Sequence, residues 1–504
     1  MKQLFIYTIL LGCLLQTSCE KLLDIDSSHA VSEKNFWNSH EDTRTALISV
    51  YGLMRAALAD NNAFWMYGEL RQGDFTAIQR QDLKAIIRGD LRAQYPLLQS
   101  LSNWRRFYAV INAANMFLEH VGEVKARDPK YTDQNMRVDI AQMRFMRAYT
   151  YFCLVTVWGD VPLITASHDG VFTNKPREKQ ETVLAFIEKE MLQSAEDLPY
   201  RYSADDPQQL GNYYNESNAR WMGTLARKLT AYAMLAHVAA WQGKYVDASV
   251  YGRFVLDNYG KAGSFYLSTE DLTRRGGYFH WKQHNHILGF NFDWGHVDAS
   301  FSGHLEELSL ARPVINKALP DIYIPKDTIL SVFDQPLDER FSLDTLTGAP
   351  TSQRYFTSFS SQVPIFSKVK EIQDGGTTDP SFRIYSSSIL VTRLENITLL
   401  QAEALAVIGQ RQGAIDLLNT IRDLRRIKKY DAATEGDLID AIFRERRKEL
   451  MGEGWRWFDL IRLQKIKQDD PAFLELIRNG GIYWPVANEV LTQNPLIKQN
   501  PYWQ

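Results

Sequence analysis

Two stretches of the chain, residues 65–74 and residues 278–294, place bulky aromatic side chains beside polar groups, without a helical period that would bury them. A sugar ring has one apolar face and a rim of hydroxyls, so aromatic planes flanked by polar groups suit it. We therefore predict that both stretches form one ligand-binding face. The predicted stacking residues are Trp65, Tyr67, Trp281 and Trp294, and the predicted hydroxyl-bonding residues are Arg71, Asp74, His284 and Asp293. The alternative is that these aromatics only staple a long loop to the body of the protein.

A cluster of histidines lies inside the second stretch. Five of the ten histidines of the chain fall between positions 280 and 304, and His280, His284 and His286 are spaced closely enough for a metal to use. Trp281 interrupts the set, and no acidic partner is implied that would orient the imidazoles. We predict a polar and aromatic loop surface here, with no metal and no cofactor.

Motifs that carry catalytic chemistry are missing from the sequence. It contains no glycine-flanked nucleophilic serine, phosphate-binding loop, dinucleotide fingerprint or zinc-protease histidine pair. The adjacent carboxylates Glu306 and Glu307 are predicted to be solvated surface groups. A glycosidase would need two carboxylates about 5–10 Å apart, which a sequence cannot show. We predict a protein that is not an enzyme, and a glycoside hydrolase is the less favoured alternative.

The first eighteen residues have the layout of a secretory signal peptide. Lys2 precedes an apolar run over residues 4–15, which is too short to span a bilayer. Cys19 then lies where a lipoprotein signal is cut and acylated, although Gln16 replaces the usual leucine three positions earlier. Cys13 fits the local pattern better but leaves a very short apolar run. We predict lipidation at Cys19.

The remainder of the chain, residues 19–504, is predicted to form a single domain. No linker rich in Gly, Ser or Pro divides it. The net charge is −3, and the basic and acidic residues are interspersed along the chain. This pattern gives no indication of a nucleic-acid partner. Aromatic residues make up 12% of the chain, which is more than a core of this size usually needs and favours aromatics that face a ligand.

Hydrophobic periodicity indicates helices at both ends of this domain. Apolar residues recur every three or four positions over residues 32–260 and again over residues 389–504, with glycine breaks at Gly243 and Gly409. Residues 261–388 are instead rich in Gly, Ser, Thr, Asp and aromatics, with strands predicted at 286–292 and 388–394. The predicted fold is mainly α, with tetratricopeptide-like helical hairpins supporting an irregular, loop-rich ligand-binding half that has a few short strands.

Several motifs, taken in order along the chain, resemble the SusD/RagB family of Bacteroidetes. The start of the mature chain and an early loop match first, followed by two helices and two C-terminal segments. The matching segments are Ser18-Cys19 with Leu22-Leu23-Asp24, Gly68-Glu69-Leu70 to Gly73-Asp74, residues 104–115, 144–162, 393–405 and 444–463.

This resemblance implies a surface-exposed lipoprotein, held to the cell outer membrane by its lipid, that works with a SusC-like TonB-dependent transporter. The implied ligand is a nutrient, an oligosaccharide or polysaccharide, and capture of a peptide or protein is the alternative within the same architecture. The strongest motifs are predicted to be scaffold. In particular, Arg447 and Arg456 are expected to pair with Glu445, Glu449 or Asp459 and so fix the C-terminal helices.

Overall fold

The computed structural model describes residues 36–168, 173–209, 211–280, 282–283, 285–293, 302–373 and 384–504. Helices dominate this part of the chain, and the predicted mainly α class is confirmed. The α-helices are α1 (His40–Ala59), α2 (Ala63–Trp65), α3 (Gln81–Arg88), α4 (Pro96–Leu101), α5 (Arg105–Arg127), α6 (Asp133–Trp158), α7 (Gln180–Asp197), α8 (Asn218–Trp221), α9 (Lys228–Gln242), α10 (Tyr245–Asn258), α11 (Thr269–Thr273), α12 (Leu305–Ser309), α13 (Lys326–Val332), α14 (Leu394–Val407), α15 (Arg411–Leu424), α16 (Ala432–Glu435), α17 (Leu438–Glu449), α18 (Arg456–Lys467), α19 (Pro471–Arg478) and α20 (Asn488–Gln493).

The long helices stack as antiparallel hairpins. Helix α1 packs on α5, α5 on α6 and α6 on α7, and α7 in turn contacts the hairpin of α9 and α10. Helix α10 packs on α14, so the C-terminal hairpin of α14 and α15 continues the stack, and α17 packs against α14. Each hairpin covers the apolar face of its neighbour, as in tetratricopeptide-like repeats.

Two of the predicted hairpin turns are found where the sequence places them. Gly243 ends α9 with a φ of 78°, and Gly409 follows α14 with a φ of 83°. These left-handed conformations cost glycine little and end a helix with bonds to its last carbonyls. The Gly243 N–H donates to the carbonyls of Ala239 and Ala240. The chain can then reverse within two residues and start the partner helix.

Short strands lie mostly in the middle of the chain. The ten strands of the described residues are β1 (Thr76–Ala77), β2 (Leu288–Phe290), β3 (Ile322–Tyr323), β4 (Ser342–Leu343), β5 (Pro350–Ser352), β6 (Phe356–Thr357), β7 (Ile365–Phe366), β8 (Ile372–Gln373), β9 (Ile384–Tyr385) and β10 (Ile389–Thr392). They pair only in twos, all antiparallel. The two predicted strands are β2 and β10, and they pair with each other, Ile389 opposite Phe290. The long helices thus carry the fold, and the strands fix loops.

The segment after α1 is helical but irregular. Asn61 and Asn62 both have a φ of 56°, α2 is a single turn, and Met66–Leu70 is a π-helical turn. A π turn widens the spacing of side chains on one face, so the usual period of 3.6 residues is lost. For this reason the sequence pattern predicts a loop here, whereas the structure has a buried helical turn.

This π-helical turn is docked against the start of the last helices. The buried Glu69 carboxylate accepts the backbone N–H groups of Gly452 and Gly454 at 2.8 and 2.9 Å. Burial raises the pKa of Glu69 to about 7, and these two hydrogen bonds oppose the shift. A Cβ atom at Gly68 would collide with the Gly454 carbonyl, so glycine is needed there for the close approach. The Gly68-Glu69 motif is therefore an internal contact of the scaffold.

The charged C-terminal motifs also form internal contacts, but with partners other than those predicted. Arg447 and Arg456 pair with Asp74, the Arg447 Nε lying 2.9 Å and the Arg456 Nε 3.7 Å from its carboxylate oxygens. The prediction that they pair with Glu445, Glu449 or Asp459 is wrong. Residues two apart on a helix point in different directions, so Arg447 on α17 cannot face Glu445 or Glu449.

Candidate functional site

A groove of about 360 Å³ lies between α1, α8 and the segment that enters and leaves β2. Its volume is within the range of about 300–1,000 Å³ that is typical of ligand pockets. It combines an apolar wall with cationic and amide groups. The residues that line this groove, called the β2 groove below, are Ile48, Tyr51, Gly52, Arg55, Arg220, Trp221, Thr224, Leu225, Lys282, Gly289, Phe290, Asn291 and Asp293.

The Asn291 side chain organises the floor of the β2 groove. Its amide nitrogen donates to the Thr224 hydroxyl at 3.2 Å, and its amide oxygen accepts the Lys282 backbone N–H at 3.0 Å. The same oxygen accepts the Ser388 hydroxyl at 2.8 Å. The Asn291 amide thus links the segment after β2 to Lys282 before β2, to Thr224 after α8 and to Ser388 before β10. These bonds fix the positions of the polar groups around it.

One wall is fixed to α1 through Arg55. Its Nη1 donates to the Asn291 carbonyl at 2.8 Å, and its guanidinium carbon lies 5.1 Å from the centroid of the Phe292 ring. A cation at this distance over an aromatic face is attracted by the ring quadrupole. The guanidinium is therefore held at the groove rather than swinging in solvent.

The opposite wall is Trp221, the last residue of α8. Its indole N–H donates to the Tyr213 carbonyl at 3.0 Å, and only 3% of the residue is exposed. The guanidinium carbons of Arg44 and Arg220 lie 5.6 and 5.9 Å from its ring centroid. Trp221 is thus largely covered, and Ile48, which is 42% exposed, adds apolar surface to the lining.

The segment that carries Trp221 is anchored on a buried carboxylate. Asp139, on α6, accepts hydrogen bonds from the hydroxyls of Tyr131 at 2.6 Å, Tyr214 at 2.5 Å and Tyr213. Burial raises the pKa of Asp139 to about 6, and the three hydroxyls lower it. Tyr214 also bonds the Thr43 hydroxyl of α1 at 2.8 Å. Together these bonds hold one wall of the β2 groove on the helical stack.

Of the eight ligand residues that the sequence predicts, Asp293 lines the β2 groove. Trp281, His284 and Trp294 lie outside the described residues, as does the predicted lipidation site Cys19. Lys282, which follows Trp281, and Asp293, which precedes Trp294, both line the groove, whereas His280, on the other side of Trp281, does not. The second predicted stretch therefore contributes to the site through described residues.

The aromatics of the first stretch are placed in the core, which corrects the prediction of an exposed stacking face there. Trp65 is 4% exposed, and its indole N–H donates to the Gly452 carbonyl at 3.1 Å. Tyr67 is 6% exposed, its hydroxyl donates to the Leu101 carbonyl at 2.7 Å, and its ring packs on Trp158 and Trp484. Trp65 at the end of α2 and Tyr67 in the π-helical turn are thus both buried, and neither lines the β2 groove.

The polar residues of the first stretch are likewise internal. Arg71 is 1% exposed, donates to the carbonyls of Ile482 (2.8 Å) and Gly481, and lies over the Trp457 ring at 4.4 Å. Asp74 is 7% exposed and holds the two arginines of the C-terminal helices described above. Neither side chain is presented to a ligand on the surface, so the structure does not join the two predicted stretches into one face.

One of the two adjacent carboxylates, Glu306, also differs from expectation. Glu306 is fully buried rather than solvated, and it accepts the Ser387 hydroxyl at 2.8 Å and the Glu371 backbone N–H at 3.1 Å. Burial raises the pKa of Glu306 to about 8, so the carboxyl is mostly protonated at neutral pH. Glu307 accepts the Asn62 side-chain amide at 3.0 Å. Glu306 thus braces loops inside the protein, whereas Glu307 is only partly buried.

The histidine cluster is divided among separate environments. His280 approaches the Glu371 carboxylate at 3.2 Å, which raises its pKa, whereas the buried His286 has its pKa lowered to about 4 by desolvation. Its Nε2 bonds the Tyr278 carbonyl at 2.5 Å. Within the described ranges no group of three or more His, Cys, Asp or Glu side chains is arranged to hold a metal ion.

Other cavities differ from the β2 groove in size or in lining. An apolar cavity of about 60 Å³ beside Tyr67, Phe152 and Trp455 is below the size of typical ligand pockets. A depression of about 630 Å³ lies between α13 and α17, and two of its lining cations are paired, Arg422 with Glu435 at 2.6 Å and Lys448 with Asp334 at 2.8 Å. Among the described residues, none of the predicted ligand residues lines this depression or two further cavities of about 320 and 570 Å³. The β2 groove combines a ligand-sized volume with a predicted ligand residue, Asp293, and is therefore the candidate site.

Comparison with known proteins identifies the family of the chain. A family model described as the SusD family matches residues 366–503, and a model described as "Starch-binding associating with outer membrane" matches residues 30–213. The crystal structure of a SusD superfamily protein from Bacteroides thetaiotaomicron is 45% identical, with a TM-score of 0.84, and the match covers 93% of this chain and 99% of that one.

More distant relatives have the same overall length. A SusD homologue of known structure from the same organism is 22% identical, with a TM-score of 0.73, over 92% of this chain and 99% of that one, which shows the shared fold. The SusD-like protein P38 of Formosa agariphila is 24% identical over 99% of this chain and 98% of that protein.

Proposed function

The chain belongs to the SusD family, and from this premise we propose that it is a surface receptor that binds an oligosaccharide or polysaccharide in the β2 groove and delivers it to a partner transporter. The observation that carries this proposal is the make-up of the groove. Apolar surface from Ile48 and Phe290 lies beside fixed donors on Arg55, Arg220 and Lys282. Sugars present this same combination of an apolar ring face and a polar rim.

The residues that line the β2 groove favour ligand binding over catalysis. The only carboxylate among the described lining residues is Asp293, whereas glycoside hydrolysis uses a pair of carboxyl groups. Glu306, the buried carboxyl with a raised pKa, is internal to the loops and does not line the groove. In the proposed complex Asp293 accepts hydrogen bonds from sugar hydroxyls, and Trp281, His284 and Trp294 are proposed to contribute from the same segment.

Binding without turnover is the expected behaviour of the purified protein. A panel of plant, algal and host-type oligosaccharides is titrated calorimetrically, and the mixtures are then analysed chromatographically for released sugars. We expect at least one glycan to bind and every glycan to be recovered intact. Release of sugar would identify an enzyme. Binding of peptides, with no response to any glycan, would establish the alternative receptor function.

We further propose that Cys19 carries the lipid that holds the protein to the outer membrane. Stable anchoring by acyl chains needs more than one chain, and a lipidated N-terminal cysteine supplies this. None of the helices in the described ranges has the length and apolar character to cross a membrane. Cys19→Ala is expected to move the protein from the membrane fraction to the soluble fraction, and Cys13→Ala is the matched control that stays membrane-bound. The reverse result would assign the lipid to Cys13, and retention of both variants would contradict lipid anchoring.

The proposed partner is a SusC-like TonB-dependent transporter. Family membership supports this pairing, because a receptor of this kind needs a separate protein to move its ligand across the membrane. Purification from native membranes in mild detergent, through a C-terminal affinity tag, is expected to recover a large outer-membrane transporter together with the receptor. Recovery of the intact lipoprotein alone, in repeated preparations, would contradict the pairing.

A further inference from the structure

Among the described residues, the charges that line the β2 groove are unbalanced. Three cationic side chains of this part of the chain reach it, Arg55 from α1, Arg220 from α8 and Lys282 from the segment before β2. The carboxylate of the described lining is Asp293. We propose that the β2 groove selects an acidic saccharide, with carboxylate or sulfate groups on its rings, an inference that rests on the proposed function and narrows its ligand class.

The backbone of Lys282 is held in place at this site. Lys282 has a φ of 54°, and its N–H is bonded to the Asn291 side chain. The left-handed conformation is unfavourable for a lysine and persists only where surrounding bonds hold it. The point from which this side chain reaches the groove is therefore fixed by the loop.

The cations are close enough to influence each other. Burial lowers the pKa of Lys282, and the positive charge of Arg220 lowers it further, while Glu216 acts in the opposite direction. Glu216 is itself paired with Arg44, whose Nη2 lies 2.9 Å from its carboxylate. Because like charges that share a partly desolvated site repel each other, an anionic ligand group between them is stabilised by both.

Some cations in the larger depression between α13 and α17 are already paired. Arg422 and Lys448 there are each matched by a carboxylate within 3 Å. In the β2 groove, Arg220 instead lies over the Trp221 ring, with its guanidinium carbon 5.9 Å from the centroid. A guanidinium held in this way keeps its fork of donors available for a bidentate bond to a planar carboxylate or to a sulfate.

The test compares matched glycans that differ only in charge. One pair is an oligogalacturonate and the neutral galacto-oligosaccharide of the same linkage and length, and the second pair is a sulfated galactan oligosaccharide and its desulfated form. We expect the acidic member of at least one pair to bind at least about tenfold tighter. This advantage should shrink between about 0.05 M and about 0.5 M salt, because exposed ionic contacts are screened. The pair that responds identifies the anion as carboxylate or sulfate.

Neutralising one cation of the β2 groove tests whether the preference for acidic glycans arises there. Arg220→Gln is expected to weaken binding of the acidic member about tenfold and of a neutral glycan less than about twofold. Arg105→Gln is the matched control, because Arg105 is 61% exposed at its side chain and pairs with Glu489 away from the groove. It should leave both affinities unchanged.

Two results would overturn the inference. Equal binding within both pairs, or binding of neutral panel glycans but neither acidic member, would remove the charge selection and leave the proposed receptor function standing. Binding to no glycan of any charge would overturn both.

Discussion

Replacing Glu449 with Gln is expected to destabilise the protein by about 3–5 kcal/mol, because it removes the one carboxylate that three buried guanidinium groups share. The oxygens of Glu449 lie 3.0 Å from Arg340, 2.9 Å from Arg393 and 2.7 Å from Arg425, and all four side chains are fully buried. Glutamine keeps the volume of the side chain but not its charge. Cations that water cannot reach would then lose their central partner.

The surrounding network shows why this position matters to the whole fold. Arg393, just before α14, also contacts Glu453 at 2.9 Å, and Arg340, in the irregular region, also contacts Glu445 at 2.8 Å. The network thus joins the loop-rich middle of the chain to the C-terminal helices. Its loss is expected to lower the midpoint of thermal unfolding and to loosen the loops, and circular dichroism and limited proteolysis measure these two effects.

The pH dependence of this effect has a defined sign. Burial alone would raise the pKa of Glu449, but the charges of Arg425 and Arg393 outweigh it and hold that pKa well below its usual value of 4.5. A carboxyl group whose pKa is lower in the folded protein than in the unfolded protein stabilises the folded state. This contribution is complete at pH values above the unfolded-state pKa, and it is lost as the pH falls through the folded-state pKa. The difference between the wild type and Glu449→Gln should therefore be full at pH 7 and shrink well below pH 4.5.

Glu489→Gln is the matched control for this substitution. Glu489 also pairs with an arginine, Arg105 at 2.6 Å, but both side chains are at least half exposed. Exposed ion pairs contribute about 0–1 kcal/mol. If Glu449→Gln unfolds at the same midpoint as Glu489→Gln, the buried network does not have the stabilising role assigned to it.

The helical scaffold could be predicted because its signals are local. The hairpin turn at Gly243 follows from the glycine that ends α9 and from apolar residues on both sides of it. The pairing of β2 with β10 is less accessible, since their residues lie about a hundred positions apart, yet both strands were predicted from local composition. These two predictions, made from local pattern, are confirmed by the structure.

Contacts across the chain could not be predicted in this way. Asp74 is separated from its partner Arg447 by 373 positions, and no spacing rule connects them. Helical geometry excludes the predicted pairing of Arg447 with Glu449, but it does not supply the correct partner. Glu306 shows the same limit, because its burial depends on Ser387 and Glu371 from distant loops.

The site was only partly predictable for a related reason. The β2 groove is assembled from α1, α8 and the β2 segment, and only the last of these has the aromatic and polar composition that suggested binding. Arg55 lies on a regular helix, and nothing in its local sequence distinguishes it from a solvated surface arginine. In contrast, Trp65 and Tyr67 suggested a site because the irregular helical turns at these residues lack the period of about 3.6 residues by which a buried helix is recognised in a sequence.

The location of the ligand is tested most directly by filling the β2 groove with a side chain that the fold can accommodate. Gly52 lines the groove on α1, and a Cβ atom built there meets no other atom within 4 Å. Glycine is the poorest helix former apart from proline, so a larger residue in this helix does not weaken it. The indole of Gly52→Trp would occupy the space that the ligand is proposed to use.

Gly122→Trp is the matched control, since Gly122 lies within helix α5, also has open space around its Cβ, and does not line the groove. Calorimetric titration of both variants with the glycan that the wild type binds is the deciding measurement. We predict that Gly52→Trp loses binding by at least about a hundredfold, because an occluded pocket forfeits most of its contacts, while Gly122→Trp binds normally and both unfold at or above the wild-type midpoint. Unchanged affinity in a folded Gly52→Trp protein would contradict the assignment of the β2 groove as the glycan-binding site.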